Sequence, residues 1–257
     1  MKGVEAVLLD LSGVLYVGDA PLAGAREALG RLRAAGVPVR YVTNTSRSTR
    51  ADVAARLARM GFAVDEAEIF TAPRAALARI RARGLRPFLL IHPGLRPEFA
   101  GVPAEPPDAV FVGDAGEAFT YAALNRAFRL LVDGAPLLAV GRNRYFREPD
   151  GLSLDAGPFV AALEHAAGVE AEIVGKPAPA FFHAACADLG VAPARCLMIG
   201  DDVEADVLGA LGAGLQALLV RTGKCRPGDE VRLPPGTPVA DDLAAAVALV
   251  LGAGGGP

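Results

Sequence analysis

Four short stretches of the 257-residue chain place chemically capable side chains where apolar runs stop. Asp10 closes Val7-Leu8-Leu9 and is followed by Leu11-Ser12-Gly13-Val14-Leu15-Tyr16, and Asp201-Asp202 closes Cys196-Leu197-Met198-Ile199-Gly200. An apolar run with no alternation describes a strand buried on both faces, and an acid at its carboxyl end sits where open α/β sheets form their ligand crevice. A lone Asp in such a place usually caps a turn. Two strands that both end in acid, paired in parallel, would bring Asp10 and Asp201 to one sheet edge. Like charges that close need compensation. A hard divalent cation supplies it, and Mg²⁺ takes one or two carboxylates together with water and phosphate oxygens. Asp206 lies four residues beyond Asp202, so the two would share a helix face and support the metal shell, although Asp202 also suits an N-cap.

The remaining two stretches are Thr43-Asn44 and Lys176. Thr43-Asn44 ends the apolar run Val39 to Val42 and opens a helix, so a hydroxyl and exposed backbone N–H groups there suit a phosphate oxygen. Lys176, in Val174-Gly175-Lys176-Pro177, stands between a short strand and a helix, where an ammonium could neutralise a phosphoryl group and the charge developing on it. Taken singly, the first is an ordinary helix cap and the second an ordinary surface loop.

The elements that must position these groups alternate. The first strand is followed by a helix with Ala25, Leu29 and Leu32 on one face and Gly36 after its end. The strand Val39 to Val42 and a helix from Arg47 to Met60, with Val53, Leu57 and Met60 inward, come next. This order predicts an α/β fold with a doubly wound parallel sheet. Phe88 to Ile91, Ala109 to Val112 and Leu137 to Val140 are further strands, set among helices and loops carrying Pro93, Pro97, Pro103, Pro106 and Pro107. They describe a second, inserted α/β unit. From Gly175 the first texture returns, with a helix around Phe181 to Leu189, the strand into Asp201 and the strand Ala217 to Val220. The expected division is a core of 1–74 and 174–257 with an inserted domain of 75–173. The Gly-rich end from Gly252 to Pro257 is expected to fray.

Composition removes several functional classes. Net charge is −3 with both signs interspersed, which gives no nucleic-acid surface; the basic clusters Arg47 to Arg59 and Arg79 to Arg86 have the spacing of solvated helix faces. No run approaches the ~20 apolar residues of a membrane span. Without a secretory leader, the Asn44-Thr45-Ser46 sequon has no meaning, and a cytoplasmic location is expected. Cys186, Cys196 and Cys225 show neither CxxC nor metal spacing, which fits reduced thiols. Gly212-Ala213-Gly214-Leu215-Gln216-Ala217 matches a dinucleotide fingerprint, but it follows a helix and precedes a strand, the reverse of the required context. No P-loop pattern is present.

In chain order, DxSGVL at Asp10, TN at Thr43, GKP at Lys176 and IGDD at Asp201 resemble the haloacid dehalogenase superfamily over the whole chain. The inserted unit resembles the α/β cap of the branch holding p-nitrophenyl phosphatase-like and phosphoglycolate phosphatase-like enzymes. Within that branch Leu9 to Tyr16, Leu89 to His92 and Val220 to Lys224 are similar to the phosphatases of phospholysine, phosphohistidine and inorganic pyrophosphate and their hydrolase-domain relatives. The resemblance implies that Asp10 is a nucleophile forming an aspartyl phosphate. It implies Mg²⁺ held by Asp10, the Ser12 carbonyl and Asp201, with Asp202 and Asp206 behind. Thr43 and Asn44 would hold the phosphoryl group, and Lys176 would align it with Asp10. Caps of this type often pair, which implies a homodimer through the cap.

One departure matters. The family's usual motif has a second aspartate at the position of Ser12, as proton donor and later as base. A serine hydroxyl is a poor donor near neutral pH, and such help is typically worth ~10²–10⁴-fold. Pyrophosphate and P–N bonds carry easier leaving groups than an alkoxide, so the expected substrates are small molecules or phosphoamino acids with P–O–P or P–N bonds. An ordinary phosphomonoester phosphatase and a non-catalytic phospholigand-binding protein are the alternatives. Retention of Asp10, Lys176 and Asp201 together favours an enzyme. Substrate-facing residues are expected in Arg142-Asn143-Arg144-Tyr145, with Asp114 and Glu117 as further contributors, while His92, His165 and His183 read as ordinary core or surface residues.

Overall fold

The computed structural model describes residues 3–148 and 151–252, so the tail beyond Gly252, where fraying is expected, lies outside the described residues. The chain begins with β1 (Ala6–Asp10), buried throughout, and a small hairpin of β2 (Tyr16–Val17) and β3 (Ala20–Pro21). α1 (Ala25–Ala34) buries Ala25, Ala28, Leu29 and Leu32 and leads into β4 (Val39–Thr43). α2 (Arg50–Arg59) starts later than the apolar spacing alone suggests. The reason is a capping box: the Thr49 hydroxyl accepts from the Asp52 N–H (3.1 Å), and the Asp52 carboxylate accepts from the Thr49 N–H (3.0 Å). β5 (Ile69–Thr71) ends in a second cap, the Thr71 hydroxyl accepting from the Arg74 N–H at the start of α3 (Ala72–Ala82).

The middle of the chain holds β6 (Pro87–Leu90), β7 (Ala109–Val112), α4 (Tyr121–Val132), β8 (Leu137–Ala139), the hairpin β9 (Tyr145–Glu148) and β10 (Gly151–Leu154), α5 (Ala156–Ala167) and β11 (Glu172–Ile173). The chain then forms α6 (Pro179–Leu189), β12 (Cys196–Gly200), a π-helical turn (Val203–Leu208), α7 (Gly209–Gly212), β13 (Gln216–Val220), β14 (Val239–Ala240) and α8 (Leu243–Gly252).

These elements form two compact units. One comprises Met1–Thr43, Val53–Phe70 and Lys176–Pro257, the other Asn44–Asp52 and Thr71–Gly175. The first carries a six-stranded sheet in the order β14-β13-β12-β1-β4-β5. β1 pairs in parallel with both β12 and β4, and β13 pairs in parallel with β12 and β14. From β1 the chain therefore builds outward on one side through β4 and β5, and on the other through β12, β13 and β14. This is the doubly wound arrangement, with its reversal at the β1–β12 pair, and ligands bind beyond the carboxyl ends of strands at such a point. Val7, Leu9, Tyr41, Ile199 and Leu218 share one core with Leu29, Leu57 and Val247 from the helices. The alternate residues Leu8, Met198 and Leu219 are equally buried, so both faces of the sheet are covered. α6 packs near β1 and β4 and brings in Phe181, edge-on to both Phe70 and Phe182.

The second unit is a four-stranded parallel sheet in the order β11-β8-β7-β6, with β7 buried along its whole length. α4 packs on β7 and against α5, and Phe119 stacks on Phe159 at 3.7 Å between centroids. The two hairpins, the π-helical turn, β5, β14 and α8 carry too short or too uniform a pattern to be read from periodicity. The Gly212 to Ala217 fingerprint lies between the end of α7 and the start of β13, the context that excludes dinucleotide binding.

Candidate active site

Strand register assembles the site in the first unit. Leu9 lies beside Ile199, so both β1 and β12 deliver their terminal acids to the same edge. Asp10 lies beside Val42 on the other side, which brings the buried Thr43 to that edge as well. Lys176 enters from the loop before α6. Its ammonium donates to Asp10 Oδ1 at 2.5 Å and to Asp206 Oδ1 at 2.6 Å, and its side chain is only 5 % exposed.

Asp10, Asp201 and Asp206 each present a carboxylate oxygen within 4.8 Å of the others. Three carboxylates face one buried ammonium, so the fully ionised cluster carries two uncompensated negative charges. The consequences follow from low local polarisability. Burial, then the charges of Asp10 and Asp206, push Asp201 up to about 7. Burial pushes Asp206 up to about 6, against the opposing pull of Lys176. Burial works against the charge on Lys176, but the Asp10 and Asp206 carboxylates outweigh it and hold the ammonium firmly protonated.

A divalent cation fits this donor set. The cluster offers hard oxygen ligands, has excess negative charge, and leaves Asp201 Oδ1 buried with no hydrogen-bond partner. The other Asp201 oxygen accepts from the Lys224 N–H at 2.7 Å. Thr222, two residues earlier, donates its hydroxyl to the Gly13 carbonyl at 2.5 Å, so the loop after β13 is latched to the loop after β1. Both loops cross Asp201 as glycine. A Cβ on Gly13 or on Gly223 would fall on the Asp201 carboxylate, and both residues have positive φ (91° and 60°).

The sequence-derived residues distribute as follows. Asp10, Thr43, Lys176, Asp201 and Asp206 lie in the first unit at the sheet edge described. Asp206 enters the acidic cluster itself instead of standing behind it. Asp202 does not share its helical face; it caps the π-helical turn, accepting from the Glu204 and Ala205 N–H groups at 3.1 and 3.0 Å and pairing with the Lys224 ammonium at 3.1 Å. Burial alone would raise Asp202, but the Ala205 N–H and Lys224 win and hold it low. Its own N–H donates to Asp206 Oδ2 at 3.2 Å, which orients that carboxylate. Ser12 is exposed in the turn after β1, bridged to Tyr16.

Asn44 belongs to the second unit, where its side chain lies against Gly141 and Gly175. Arg142 is held by both oxygens of Glu164 at 2.6 and 2.7 Å, and Asp114 is buried in an ion pair with Arg47. Glu117 and Tyr145 are exposed. His92 accepts from the Gly94 N–H, and His183 bonds the Ala213 carbonyl, both structural roles. Thr222 and Lys224 are site neighbours; their stretch, Val220 to Lys224, carries part of the family resemblance, but the sequence reading gave neither residue a role.

Fold and site define a class. Residues 7–103 match the haloacid dehalogenase-like hydrolase model, and residues 173–246 match the HAD-hydrolase-like model. The chain belongs to the haloacid dehalogenase-like hydrolases, and it is a phosphatase of that class. Among its relatives, phospholysine phosphohistidine inorganic pyrophosphate phosphatase of Bos taurus is 47% identical over 236 residues, 90% of this chain and 87% of that protein. Haloacid dehalogenase-like hydrolase domain-containing protein 2 of Rattus norvegicus is 48% identical over 232 residues, 90% of each chain. Among solved structures, 4-nitrophenylphosphatase from Thermotoga maritima superposes with a TM-score of 0.87 at 29% identity, covering 95% of this chain and 97% of that one. Glycerol phosphate phosphatase from Mycobacterium tuberculosis, solved in complex with calcium, has a TM-score of 0.84 at 28% identity, covering 94% and 74%.

Proposed function

We propose that this phosphatase is Mg²⁺-dependent, works through an aspartyl phosphate on Asp10, and favours small substrates with P–N or pyrophosphate bonds. The observation that carries the reading is the buried Asp10–Lys176–Asp206 chain beside Asp201, whose Oδ1 has no partner. Asp10, Asp201 and the Ser12 carbonyl would hold the metal, with Asp206 joining or backing them; when bound, the ion neutralises phosphoryl oxygens and the excess carboxylate charge. The calcium complex of the mycobacterial relative supports a divalent cation here.

The chain's own residues supply the rest. Lys176 pins one Asp10 oxygen and leaves the other to attack phosphorus. A P–O bond to Asp10 forms as the bond to the leaving group breaks, and the leaving group departs with its electron pair and takes a proton from solvent. Water then adds to phosphorus, releasing inorganic phosphate and free Asp10. Thr43 and Asn44 hold the phosphoryl oxygens, and Lys176 offsets the charge gathered there. Ser12 provides no proton of suitable acidity, so leaving groups that need none are preferred. The name of the Bos taurus relative, with phospholysine, phosphohistidine and pyrophosphate in it, supports that choice. The nitrophenyl phosphatase neighbours favour a second reading, an ordinary phosphomonoesterase. We further propose residues 75–173 as a cap that selects the substrate, a homodimer formed through it, and a cytoplasmic setting. No helix among the described residues is long and apolar enough to cross a membrane.

Phosphate release with Mg²⁺ from p-nitrophenyl phosphate, pyrophosphate, phosphohistidine and phosphoglycolate, with EDTA and Asp10→Asn controls, tests the reading. Preference for phosphohistidine or pyrophosphate supports it. Preference for phosphoglycolate moves the assignment to the phosphomonoesterase.

A further inference from the structure

We infer that Thr222 is a positioning residue for the divalent-cation site: its hydroxyl fixes the turn that presents the Ser12 carbonyl, and this makes the site discriminate Mg²⁺ from Ca²⁺. The role rests on the reading that Asp10, the Ser12 carbonyl and Asp201 hold the metal, and it adds to that reading what selects the cation.

Bonds on both sides of Gly13 fix the turn after β1. The Gly13 N–H donates to the Tyr16 carbonyl at 2.7 Å, and the Thr222 hydroxyl donates to the Gly13 carbonyl at 2.5 Å. The first bond orients the Ser12–Gly13 peptide, whose plane carries the Ser12 carbonyl on the side opposite its N–H. The second orients the next peptide, Gly13–Val14, whose own N–H makes a long bond of 3.4 Å to the Leu11 carbonyl. Gly13, at φ 91°, has no side chain to restrict rotation of these two planes. Thr222 supplies the hold that the glycine lacks.

The hydroxyl is itself well placed. Arg221, before it, donates its N–H to the Ala240 carbonyl at 2.9 Å, and the Thr222 carbonyl accepts from the Cys225 N–H at 3.2 Å. A β-branched side chain also has few χ1 choices. Gly223 permits the close approach of the two loops: a Cβ there would stand 2.5 Å from Gly13 Cα. The next residue, Lys224, donates its N–H to Asp201 Oδ2 at 2.7 Å, while the buried Asp201 Oδ1 keeps no partner. Three consecutive residues therefore hold two of the proposed metal donors, the Ser12 carbonyl through Thr222 and Asp201 through Lys224. Rigid donors discriminate between cations. Mg²⁺ demands near-ideal octahedral geometry, whereas Ca²⁺ accepts more oxygens in looser arrangements. Releasing the Gly13 carbonyl lets the Ser12 peptide rock, a loss that Mg²⁺ feels and Ca²⁺ absorbs.

The test is calorimetric titration of the metal-stripped full-length protein with Mg²⁺ and, separately, with Ca²⁺. Wild type is compared with Thr222→Val, which keeps the shape and removes the hydroxyl, and with Thr222→Ser, which keeps the hydroxyl. Thr222→Ala is the second hydroxyl-free variant should the valine fail to fold. Thr222→Val is expected to bind Mg²⁺ about fivefold more weakly, the size of one ordinary hydrogen bond, and Ca²⁺ within about twofold of wild type. Thr222→Ser should return the wild-type ratio of Mg²⁺ to Ca²⁺ affinity. An unchanged Mg²⁺ affinity in Thr222→Val, an equal loss for both cations, or a serine variant no better than valine overturns the role of Thr222 and leaves the metal site standing. No Mg²⁺ binding by wild type overturns the metal reading, and the role of Thr222 with it.

Discussion

In the proposed mechanism the chemistry turns on Asp10 and Lys176, and their roles can be separated by substitution. Asp10→Asn keeps the shape and removes the proposed nucleophile, so phosphate release should fall by at least ~10³-fold on every substrate in a release assay. Lys176→Met does something different. It leaves Asp10 and Asp206 buried without their shared cation, which should cost about 3–5 kcal/mol in denaturant-determined stability as well as activity. Ser12→Asp should raise phosphomonoesterase kcat about tenfold or more, because it restores a matched proton donor; no gain with any ester would contradict the leaving-group argument. Asp10 and Asp201 were legible in the sequence because each ends a buried apolar run, where solvation costs make a charge conspicuous, whereas Thr43 and Lys176 stood out only through their order in the set of motifs. Asp206 was legible only as a helper. Its entry into the cluster depends on the π-helical turn, which has no sequence period of its own. Asn143 was read as part of a substrate-facing loop, whereas Arg142 beside it is spent on Glu164, a pairing that spacing cannot show.

At the level of elements, two parallel pairings do most of the positioning. Leu9 beside Ile199 and Asp10 beside Val42 set three functional termini at one edge, and a slip of one residue would turn every core side chain to the opposite face. The doubly wound order was readable from alternating strands and helices. The capping box that delays α2 to Arg50, and the latch of Thr222 on Gly13, required the structure because they depend on where loops meet. Gly223→Ala places a methyl group on the Asp201 carboxylate in a backbone conformation alanine resists. It should lower Mg²⁺ affinity severalfold, seen as a raised metal concentration for half-maximal activity, with a stability loss of about 1–3 kcal/mol.

For the molecule as a whole, the excess charge of the cluster makes stability depend on pH, and the proposed Mg²⁺ site couples that dependence to metal. Asp201 and Asp206 have folded values raised to about 7 and about 6, above those of an unfolded chain. The protonated forms are therefore favoured by folding. Their stabilisation is complete below the unfolded values and is lost as pH rises through about 6 to 7. Metal-free protein should accordingly lose melting temperature between pH 5 and pH 8, and Mg²⁺ should restore it at pH 8 by roughly 5–10 °C at saturating concentration while changing little at pH 5. An equal Mg²⁺ effect at both pH values would detach the metal from this cluster.

The most direct test of the account is acid-quenched turnover followed by peptide mass spectrometry. The enzyme with Mg²⁺ and phosphohistidine should yield one phosphorylated peptide, the one that holds Asp10, absent with EDTA and absent in Asp10→Asn. Phosphate release that continues in Asp10→Asn, or a phosphoryl group found on another residue, would contradict it.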